Sequence, residues 1–392
     1  MRIFGEWLGR GLILAVIVGA VGFFGFLPAY VEDTSNNVID HEPWPVSAEA
    51  QTLHDDMIVG DWHADSLLWS RDLTKRGSRG QVDIPRLIQG GSALQMFTAV
   101  TKSPAGLNYE ENSAQAFDNI TLLAFAQMWP PRTWNSLLER ALYQAQKLHD
   151  FEMADPEHFK IILSHADLDE VLAARATGRD IVGGLLGIEG AHPLEGDLAN
   201  LDKIEAAGYR MIALQHFFDN KLGGSLHGQA NNGLTDFGRS VVAEVAKRNL
   251  VLDVAHSSPQ VAWDVLEMTD IPIVVSHTGI HSYCDAKRNF PDDLMQAIAA
   301  TGGVIAMGYW AEVSCDNFTP DGIAEMIVAA IATVGEDHVS LGSDYDGSVE
   351  TPFDTSELPA LTHALLAIGV SEAQIRKVMG ENMVRVLRDR LQ

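Results

Sequence analysis

Eight short apolar runs, each followed by a stretch of helical periodicity, constrain the fold of this 392-residue chain more than any other feature. Repeated strand–helix units predict a parallel sheet that is covered by helices. Eight such units predict a closed (β/α)8 barrel of the TIM type. The predicted strands are Ile58–His63, Ala93–Val100, Ile181–Ile188, Met211–Gln215, Leu250–Val254, Ile271–Ser276, Gly303–Met307 and His338–Gly342.

The stretches between these strands have the spacing of amphipathic helices. Periodicity alone does not separate a short apolar strand from a buried helix, so the prediction rests on the order of the units. The segment from Ser371 to Arg390 is expected to close the chain with one or two helices. The other predicted helical stretches are 113–150, 201–207, 236–248, 259–268, 291–300 and 321–334.

A stretch without charged residues, from Gly11 to Val31, precedes the repeated units. A helix of about 20 apolar residues crosses the core of a bilayer. Arg2 and Arg10 precede this stretch and acidic residues follow it, so the positive-inside rule predicts that the body of the protein lies outside the cytoplasm. The predicted divisions are an N-terminal membrane segment over 1–31, a linker over 32–46 and the barrel over 47–392.

A cleaved signal peptide is the alternative interpretation of the N-terminal segment. Signal peptides have a shorter apolar core of about 7–15 residues and end in an Ala-x-Ala-like site. Leu27-Pro28-Ala29 matches such a site poorly, and a buried hydrophobic helix is a further alternative. We predict a protein of the cell envelope that is anchored in the inner membrane with its barrel in the periplasm, or one that is secreted after cleavage.

Charge and cysteine content limit the classes of function. The formal net charge of −26 argues against a nucleic-acid partner, because phosphates would be repelled. Cys284 and Cys315 are the only cysteines and form no Cys-x-x-Cys motif, which disfavours a zinc finger or an iron–sulfur centre. They could be inert thiols or one disulfide. The sequence has no Gly-x-Ser-x-Gly elbow and no P-loop, which disfavours a serine hydrolase and a nucleotide-binding enzyme.

Nearly every predicted strand ends in a side chain that can bind a metal or move a proton. Active sites of such barrels lie at the carboxyl ends of the strands. His63 and Asp65 are two residues apart and therefore share one face of an extended strand. The other side chains at strand ends are Glu189, His216, His256, His277 and Asp344.

Histidine and carboxylate side chains without cysteine form the ligand set of a hydrolytic metal site. There are enough of them for two ions, and Glu189 lies between the two histidine-bearing halves in chain order, which makes it the candidate bridging ligand. Two ions about 3.5–4 Å apart hold a bridging hydroxide and polarise the carbonyl group that is cleaved.

These residues occur in motifs that resemble the membrane (renal-type) dipeptidases, a family of zinc dipeptidases among the amidohydrolase-like barrels. The resemblance covers about residues 50–390 and preserves the order of the motifs. The motifs are Asp61-Trp62-His63-Ala64-Asp65, Ile188-Glu189-Gly190-Ala191-His192, Leu214-Gln215-His216, Asp253-Val254-Ala255-His256, Ser276-His277, Arg288-Asn289-Phe290-Pro291-Asp292 and Gly342-Ser343-Asp344-Tyr345-Asp346-Gly347.

The resemblance implies two zinc ions per chain. His63 and Asp65 would bind the first ion, His256 and His277 would bind the second, and Glu189 would bridge them.

The resemblance also implies roles in catalysis and substrate binding. His216 would contact the substrate carbonyl and stabilise the oxyanion, and Arg288 would hold the free carboxylate of a dipeptide. Asp344 would orient the attacking hydroxide and carry a proton to the leaving amine, although Asp346 could take that role instead. Without the resemblance, Arg288 could equally be a surface residue. The resemblance further implies a disulfide between Cys284 and Cys315 and suggests a homodimer.

The sequence therefore predicts a zinc-dependent dipeptidase of the cell envelope that acts on dipeptides, including those with a C-terminal D-residue. One alternative is a lactone, ester or β-lactam hydrolase on the same barrel, for which an arginine at 288 would not be needed. The other alternative is a non-catalytic binding protein of the envelope. The intact set of metal-binding side chains argues against it.

Overall fold

The computed structural model describes residues 2–392, with the backbone alone described for residues 2–6, 8 and 9. Within these residues it contains β1 Val59–Ala64, β2 Ser92–Val100, β3 Phe159–Ile161, β4 Val182–Glu189, β5 Tyr209–Ala213, β6 Val251–Asp253, β7 Ile273–Thr278, β8 Val304–Met307 and β9 Val339–Leu341. All strands except β3 form a closed parallel barrel, in which β2 pairs with β4 and β9 pairs back with β1. The prediction of a (β/α)8 barrel is confirmed.

The predicted strands agree with the observed ones to within two residues at each end. β3 is an addition that lies outside the barrel, where it extends the sheet beside β4. β3 has a charged residue, Lys160, at its centre, so it lacks the apolar run that marks a buried strand in the sequence.

Helices cover the barrel and follow the strands as predicted. The stretch 113–150 differs, because it is divided into two helices at Pro130 and Pro131, where a proline lacks the N–H that a helix interior needs. The helices of the barrel domain are α3 Ala48–Asp55, α4 Ile84–Gln89, α5 Asn119–Ala126, α6 Leu137–Ala154, α7 His165–Ala176, α8 Asn200–Ala206, α9 Asp236–Lys247, α10 Pro259–Met268, α11 Asp292–Ala300, α12 Ala311–Ser314, α13 Pro320–Val334, α14 Pro359–Ala367, α15 Glu372–Arg376 and α16 Asn382–Arg390.

Every residue of β1, β2 and β4 is buried, as expected for parallel strands that are covered on both faces. Polar side chains on these strands have lost contact with water and therefore need partners inside the protein. The apolar core joins the outer faces of the strands to the surrounding helices. The polar side chains are concentrated where the strands end.

The N-terminal segment is a long helix that leaves the barrel. α1 Arg2–Val21 and α2 Leu27–Ser35 are joined by a π-helical turn at Gly22–Phe26. The part from Arg10 to Ser35 has a mean hydropathy of 2.4 over its most apolar window, of which 6% is buried, and is long and apolar enough to cross a membrane.

The helix continues beyond the boundary predicted at Val31, and the segment predicted as a linker lies against the barrel. Val38 forms a β-bridge with Thr351. The indole N–H of Trp44 donates a hydrogen bond of 3.0 Å to the carbonyl oxygen of Pro352.

A disulfide joins Cys284 to Cys315, which confirms the pairing that the resemblance implied. It connects the segment that follows β7 to the segment that follows β8. Asn289 supports the same connection, since its side-chain N–H groups donate to the carbonyl oxygens of Cys284 and Val313 at 2.9 and 3.0 Å.

We expect reduction of this disulfide to lower the free energy of unfolding by about 2–4 kcal/mol, because the bond restricts the unfolded chain. Denaturant unfolding of the detergent-solubilised protein with and without reductant would measure the change. A C284S/C315S variant serves as the control and should unfold identically in both conditions. Mass spectrometry that finds two free thiols in the oxidised protein would contradict the assignment.

Candidate active site and metal centre

The carboxylate of Glu189, at the end of β4, is the point on which the site converges. Its Oε1 lies 3.0 Å from His256 Nε2, 3.4 Å from His63 Nε2 and 3.5 Å from His277 Nε2. Its Oε2 lies 3.5 Å from His216 Nε2. Four imidazoles from four different strand ends therefore face one buried carboxylate.

Two further carboxylates lie on the β1 side of this group. The Nε2 atom of His63 is 3.5 Å from Asp65 Oδ1 and 3.7 Å from Asp344 Oδ1. The hydroxyl of Thr98 donates to Asp65 Oδ1 at 2.6 Å and so holds that carboxylate toward His63. The structure thus brings together His63, Asp65 and Asp344 from the two ends of the chain.

The arrangement fits metal ions. The Nε2 atoms of His256 and His277 lie 2.9 Å apart and both face Glu189, and among the described residues Glu189 Oε2 is buried without a hydrogen-bond partner. Such a group of lone pairs is stabilised by a cation. The donor atoms form three groups in which all atoms lie within 4.8 Å of one another: His63, Glu189 and His277; Glu189, His216 and His256; and His63, Asp65 and Asp344.

The protonation states of these groups suit metal binding. Burial, followed by the charge of Arg288, lowers the pKa of His256 well below its ordinary value, and burial together with the charges of His63 and Arg288 does the same for His277. Although burial alone would raise the pKa of Glu189, the charges of His216 and His63 hold it well below its usual range. A neutral imidazole and an ionised carboxylate are the forms that bind metals.

On the β1 side of the site, two carboxyl groups have raised pKa values. Burial and the charge of Glu189 raise the pKa of Asp65 to about 7, although His63 opposes them. Burial also raises the pKa of Asp344 well above its ordinary value; the charge of His63 opposes this and that of Glu189 adds to it. A carboxyl group with a raised pKa can hold a proton at neutral pH, as an acid catalyst must.

One buried serine orients two of the histidines. The hydroxyl of Ser276 donates to Asp253 Oδ2 at 2.6 Å, and its oxygen lies 2.9 Å from His277 Nδ1 and 3.5 Å from His63 Nδ1. Because the serine proton is used by Asp253, the two Nδ1 atoms must donate to the serine oxygen. In the neutral form of each imidazole this leaves the lone pair on Nε2, the atom that faces Glu189.

Asp344 and Asp346 have different environments. Asp346 is completely buried and both its oxygens are engaged: Oδ1 accepts from the backbone N–H of Gln81 at 2.7 Å, and Oδ2 accepts from Ser66 at 2.6 Å and from Arg71. Asp344 faces the metal-binding group instead, with its Oδ1 3.7 Å from His63 Nε2. This difference favours Asp344 over Asp346 as the proton-transfer group.

Glycines leave room for Asp344 and for His192, a histidine beside the site. A Cβ atom on Gly347 would lie 2.2 Å from Asp344 Oδ1. Gly190 has a φ of 77°, and a Cβ there would lie 2.4 Å from His192 Nε2. A side chain at either position would displace its neighbour.

Arg288 is buried beside the histidines and is not a surface residue. Its guanidinium group donates to the carbonyl oxygens of Ala255 and His277 at 2.7 and 2.6 Å and lies 5.9 Å from the centre of the Trp310 ring. Within the described residues it has no carboxylate within 4.0 Å. A buried cation that has only neutral partners is a favourable site for the carboxylate of a ligand.

The site lies in a cavity of about 740 Å³. Asp65, Glu189, His216, His256, Arg288 and Asp344 line its base. The predicted residues of the site are therefore in one place, whereas Thr98, Ser276, Asp253 and the cavity-lining Tyr109 were not predicted. Their positions depend on contacts between distant segments, and only Asp253 and Ser276, which stand within quoted motifs, had a signal in the sequence.

Three histidines near the site in sequence are not among its converging groups. His192 stacks on Phe218 at 4.5 Å, and burial lowers its pKa to about 3. His227 is buried and its Nδ1 lies 2.6 Å from the carbonyl oxygen of Tyr109. His281 is partly exposed beside Asp285 at 3.4 Å.

Comparison with known proteins agrees with this geometry. The model of one family, described as membrane dipeptidase (peptidase family M19), matches residues 47–391. Dipeptidase ataJ of Aspergillus terreus is 27% identical over 337 residues, which cover 79% of this chain and 76% of that protein.

Solved structures with the same barrel include two metallopeptidases. Dipeptidase AC, of family M19, superimposes with a TM-score of 0.71 at 26% identity, over 86% of this chain and 99% of that chain. A metallopeptidase from Rhodobacter sphaeroides, bound to a phosphinate mimic of the dipeptide L-Ala-D-Ala, gives a TM-score of 0.70 at 25% identity, over 86% and 100% of the two chains.

The contacts of Ser276 predict that an S276A variant binds metal about 10–100-fold more weakly, because His63 and His277 lose the group that orients them. Competition with a chelating indicator would measure the affinity. S340A is the matched control, because Ser340 is equally buried and its hydroxyl has no hydrogen-bond partner among the described residues. It should bind metal as tightly as the parent. Parental affinity in S276A would exclude this orienting role.

Proposed function

We propose that this chain, which belongs to the membrane dipeptidase family (peptidase family M19), hydrolyses dipeptides with two zinc ions bound at its strand ends. The proposal rests on four histidines that face Glu189. Beside them lies the buried Arg288, which has no carboxylate partner among the described residues. The proposed ligands are His63 and Asp65 for one ion, His256 and His277 for the other, and Glu189 for both.

Zinc suits a donor set of imidazoles and carboxylates without thiolates. When bound, such ions lower the pKa of water and polarise the carbonyl group of the peptide bond. The protein holds its donors ready for them: Thr98 orients Asp65, and Ser276 orients His63 and His277.

Arg288 is proposed to hold the C-terminal carboxylate of the substrate. The guanidinium group is fixed by two backbone carbonyl oxygens, so little freedom is lost when a carboxylate binds. Because Arg288 donates to the carbonyl oxygens of His277 and of Ala255, the residue before His256, a carboxylate bound to it would lie within reach of the metal-binding group. A substrate that ends one residue after the cleaved bond would reach both Arg288 and the metal-binding group.

Asp344 is proposed to take a proton from the attacking water and to deliver it to the leaving amine. Its carboxyl group lies 3.7 Å from His63 and faces the cavity, and its raised pKa is suited to a group that must hold a proton during the reaction.

His216 is proposed to stabilise the oxyanion that forms on the substrate carbonyl. Its Nδ1 lies 3.3 Å from the carbonyl oxygen of Lys102, so a proton on Nε2 requires either the imidazolium form or release of that contact. The Nε2 atom also lies close enough to Glu189 to bind a metal, and the zinc content of an H216A variant distinguishes the two roles.

The substrate range is proposed to include dipeptides with a C-terminal D-residue. The support is the related metallopeptidase that binds a mimic of L-Ala-D-Ala. We further propose that the N-terminal helix anchors the enzyme in the inner membrane, with the barrel in the periplasm, where the disulfide is stable. The homodimer remains a prediction. The position of Arg288 argues against a neutral lactone as the substrate.

Two histidine variants test the assignment of metal ligands. A ligand and an oxyanion donor differ in what their loss does to bound zinc. H256A should lose zinc and activity toward L-Ala-L-Ala and L-Ala-D-Ala. H216A should retain zinc while kcat falls about 10²–10³-fold. Zinc content and turnover of the full-length protein in detergent provide the two measurements.

H158A is the control for these variants, because His158 is a surface histidine paired with Asp155, and it should retain both zinc and turnover. Loss of zinc from H216A would make His216 a metal ligand. Absence of turnover by the zinc-loaded parent on both dipeptides would favour a lactone or ester hydrolase.

For R288K we expect KM for L-Ala-L-Ala to rise about 10–100-fold, because a charge-assisted hydrogen bond contributes about 1.5–3 kcal/mol and lysine lacks the planar fork. Steady-state kinetics on the dipeptide and on its C-terminal amide would separate this effect from a general one. R376K, on the surface beside Asp56, is the matched control. An equal loss on the amide would show that Arg288 does not act through the substrate carboxylate.

A further inference from the structure

The outer wall of the active-site cavity is formed in part by the N-terminal helix, which lies outside the region that the family model matches. Leu27, Pro28, Val31 and Ser35 of α2 line the same cavity whose base holds Glu189. Leu27 is only five residues beyond Gly22, which is about 8 Å along a helix. The cavity is therefore lined by the carboxyl-terminal part of the same helical segment, Arg10–Ser35, that is long enough to cross a membrane.

Buried ionic contacts hold α2 in this position. Glu32 is 1% exposed and pairs with Arg71, which also pairs with Asp346; Arg79 lies 3.4 Å from Glu32. Removing Arg71 would leave the buried carboxylate of Asp346 without its cation, which is unfavourable. The helix is thus docked on the barrel and does not act as a loose tether.

Apolar contacts continue the same interface toward the membrane-facing end of the helix. The rings of Phe23 and Phe24 lie 5.9 and 5.5 Å from the ring of Phe125 on α5. Val31 packs against a buried cluster that includes Trp69 and Ile120. The cavity wall on this side therefore consists of two helices, α2 and α5, that present apolar side chains.

The cavity is larger than the smallest dipeptides require. A cavity of about 740 Å³ lies within the range of about 300–1,000 Å³ that is typical of sites for much larger ligands. Its lining includes the metal-binding group and Arg288, as well as the carboxylates of Glu312, Asp316 and Glu350. A substrate whose backbone is held between Glu189 and Arg288 would place a side chain in the same cavity as the apolar residues of α2 and α5.

We propose that α2 is a specificity-determining part of the active site, and that it selects dipeptides with a large apolar side chain. The inference rests on the dipeptidase function proposed above. Each methylene group buried against the wall should raise kcat/KM about fourfold, from about 0.8 kcal/mol per methylene. The preference should depend on residues that precede the barrel domain and should be lost when they become polar.

The test compares kcat/KM for Leu-Ala and Ala-Leu with that for Ala-Ala, using the full-length, zinc-loaded protein in detergent. We expect the parent to prefer at least one leucine substrate, and we expect the L27S/V31S variant to reduce that preference about fivefold to tenfold. L27S alone, which keeps the packing of Val31, should also reduce the preference for the leucine substrate. Thermal unfolding and zinc content verify that both variants are folded.

V18S/V21S is the matched control, because Val18 and Val21 lie on the same apolar helix, are 62% and 65% exposed and do not line the cavity. It should keep the parental preference. If L27S/V31S and L27S also keep it while all three dipeptides are hydrolysed, the inference is wrong and the dipeptidase function stands. If the parent hydrolyses none of them, the proposed function itself fails.

Discussion

A carboxylate that is withdrawn from water must be compensated, and the architecture of this protein depends on how Glu189 is compensated. Its two oxygens face four imidazoles that come from four strand ends. These strand ends can meet only if the sheet closes into a barrel. The same closure buries the group, which keeps His256 and His277 neutral and able to donate lone pairs to a cation. Fold and chemistry are thus consequences of one arrangement.

Beneath the converging group lies a layer of buried polar side chains that links neighbouring strands. Asp61 accepts from the backbone N–H groups of His63 and Ser343, each at 2.9 Å, and so joins β1 to the segment after β9. Asp253 has the equivalent position on β6 and accepts from Ser276 on β7. These contacts fix the orientation of the metal-binding side chains, which the strand backbone alone would not do.

The sequence predicted the barrel and the residues around Glu189 because each of them directly follows an apolar run in its own strand. Local pattern was sufficient for these features. It was insufficient for Thr98, whose role depends on Asp65 from a neighbouring strand, and for the choice between Asp344 and Asp346, which depends on Arg71 and Gln81. The docking of α2 on the barrel likewise had no local signal, since Glu32 meets partners that are 39 or more residues away.

The contacts of the N-terminal helix have a consequence for the order in which the protein is assembled. Asn36 accepts a hydrogen bond of 2.9 Å from the backbone N–H of Ser348, and Ile39 donates one of 3.0 Å to the carbonyl oxygen of Thr351. The N-terminal helix must therefore wait for the segment that follows β9 before it can dock. Until that segment has been synthesised, the cavity lacks both its outer wall and Asp344, so the nascent chain does not contain a complete hydrolytic site.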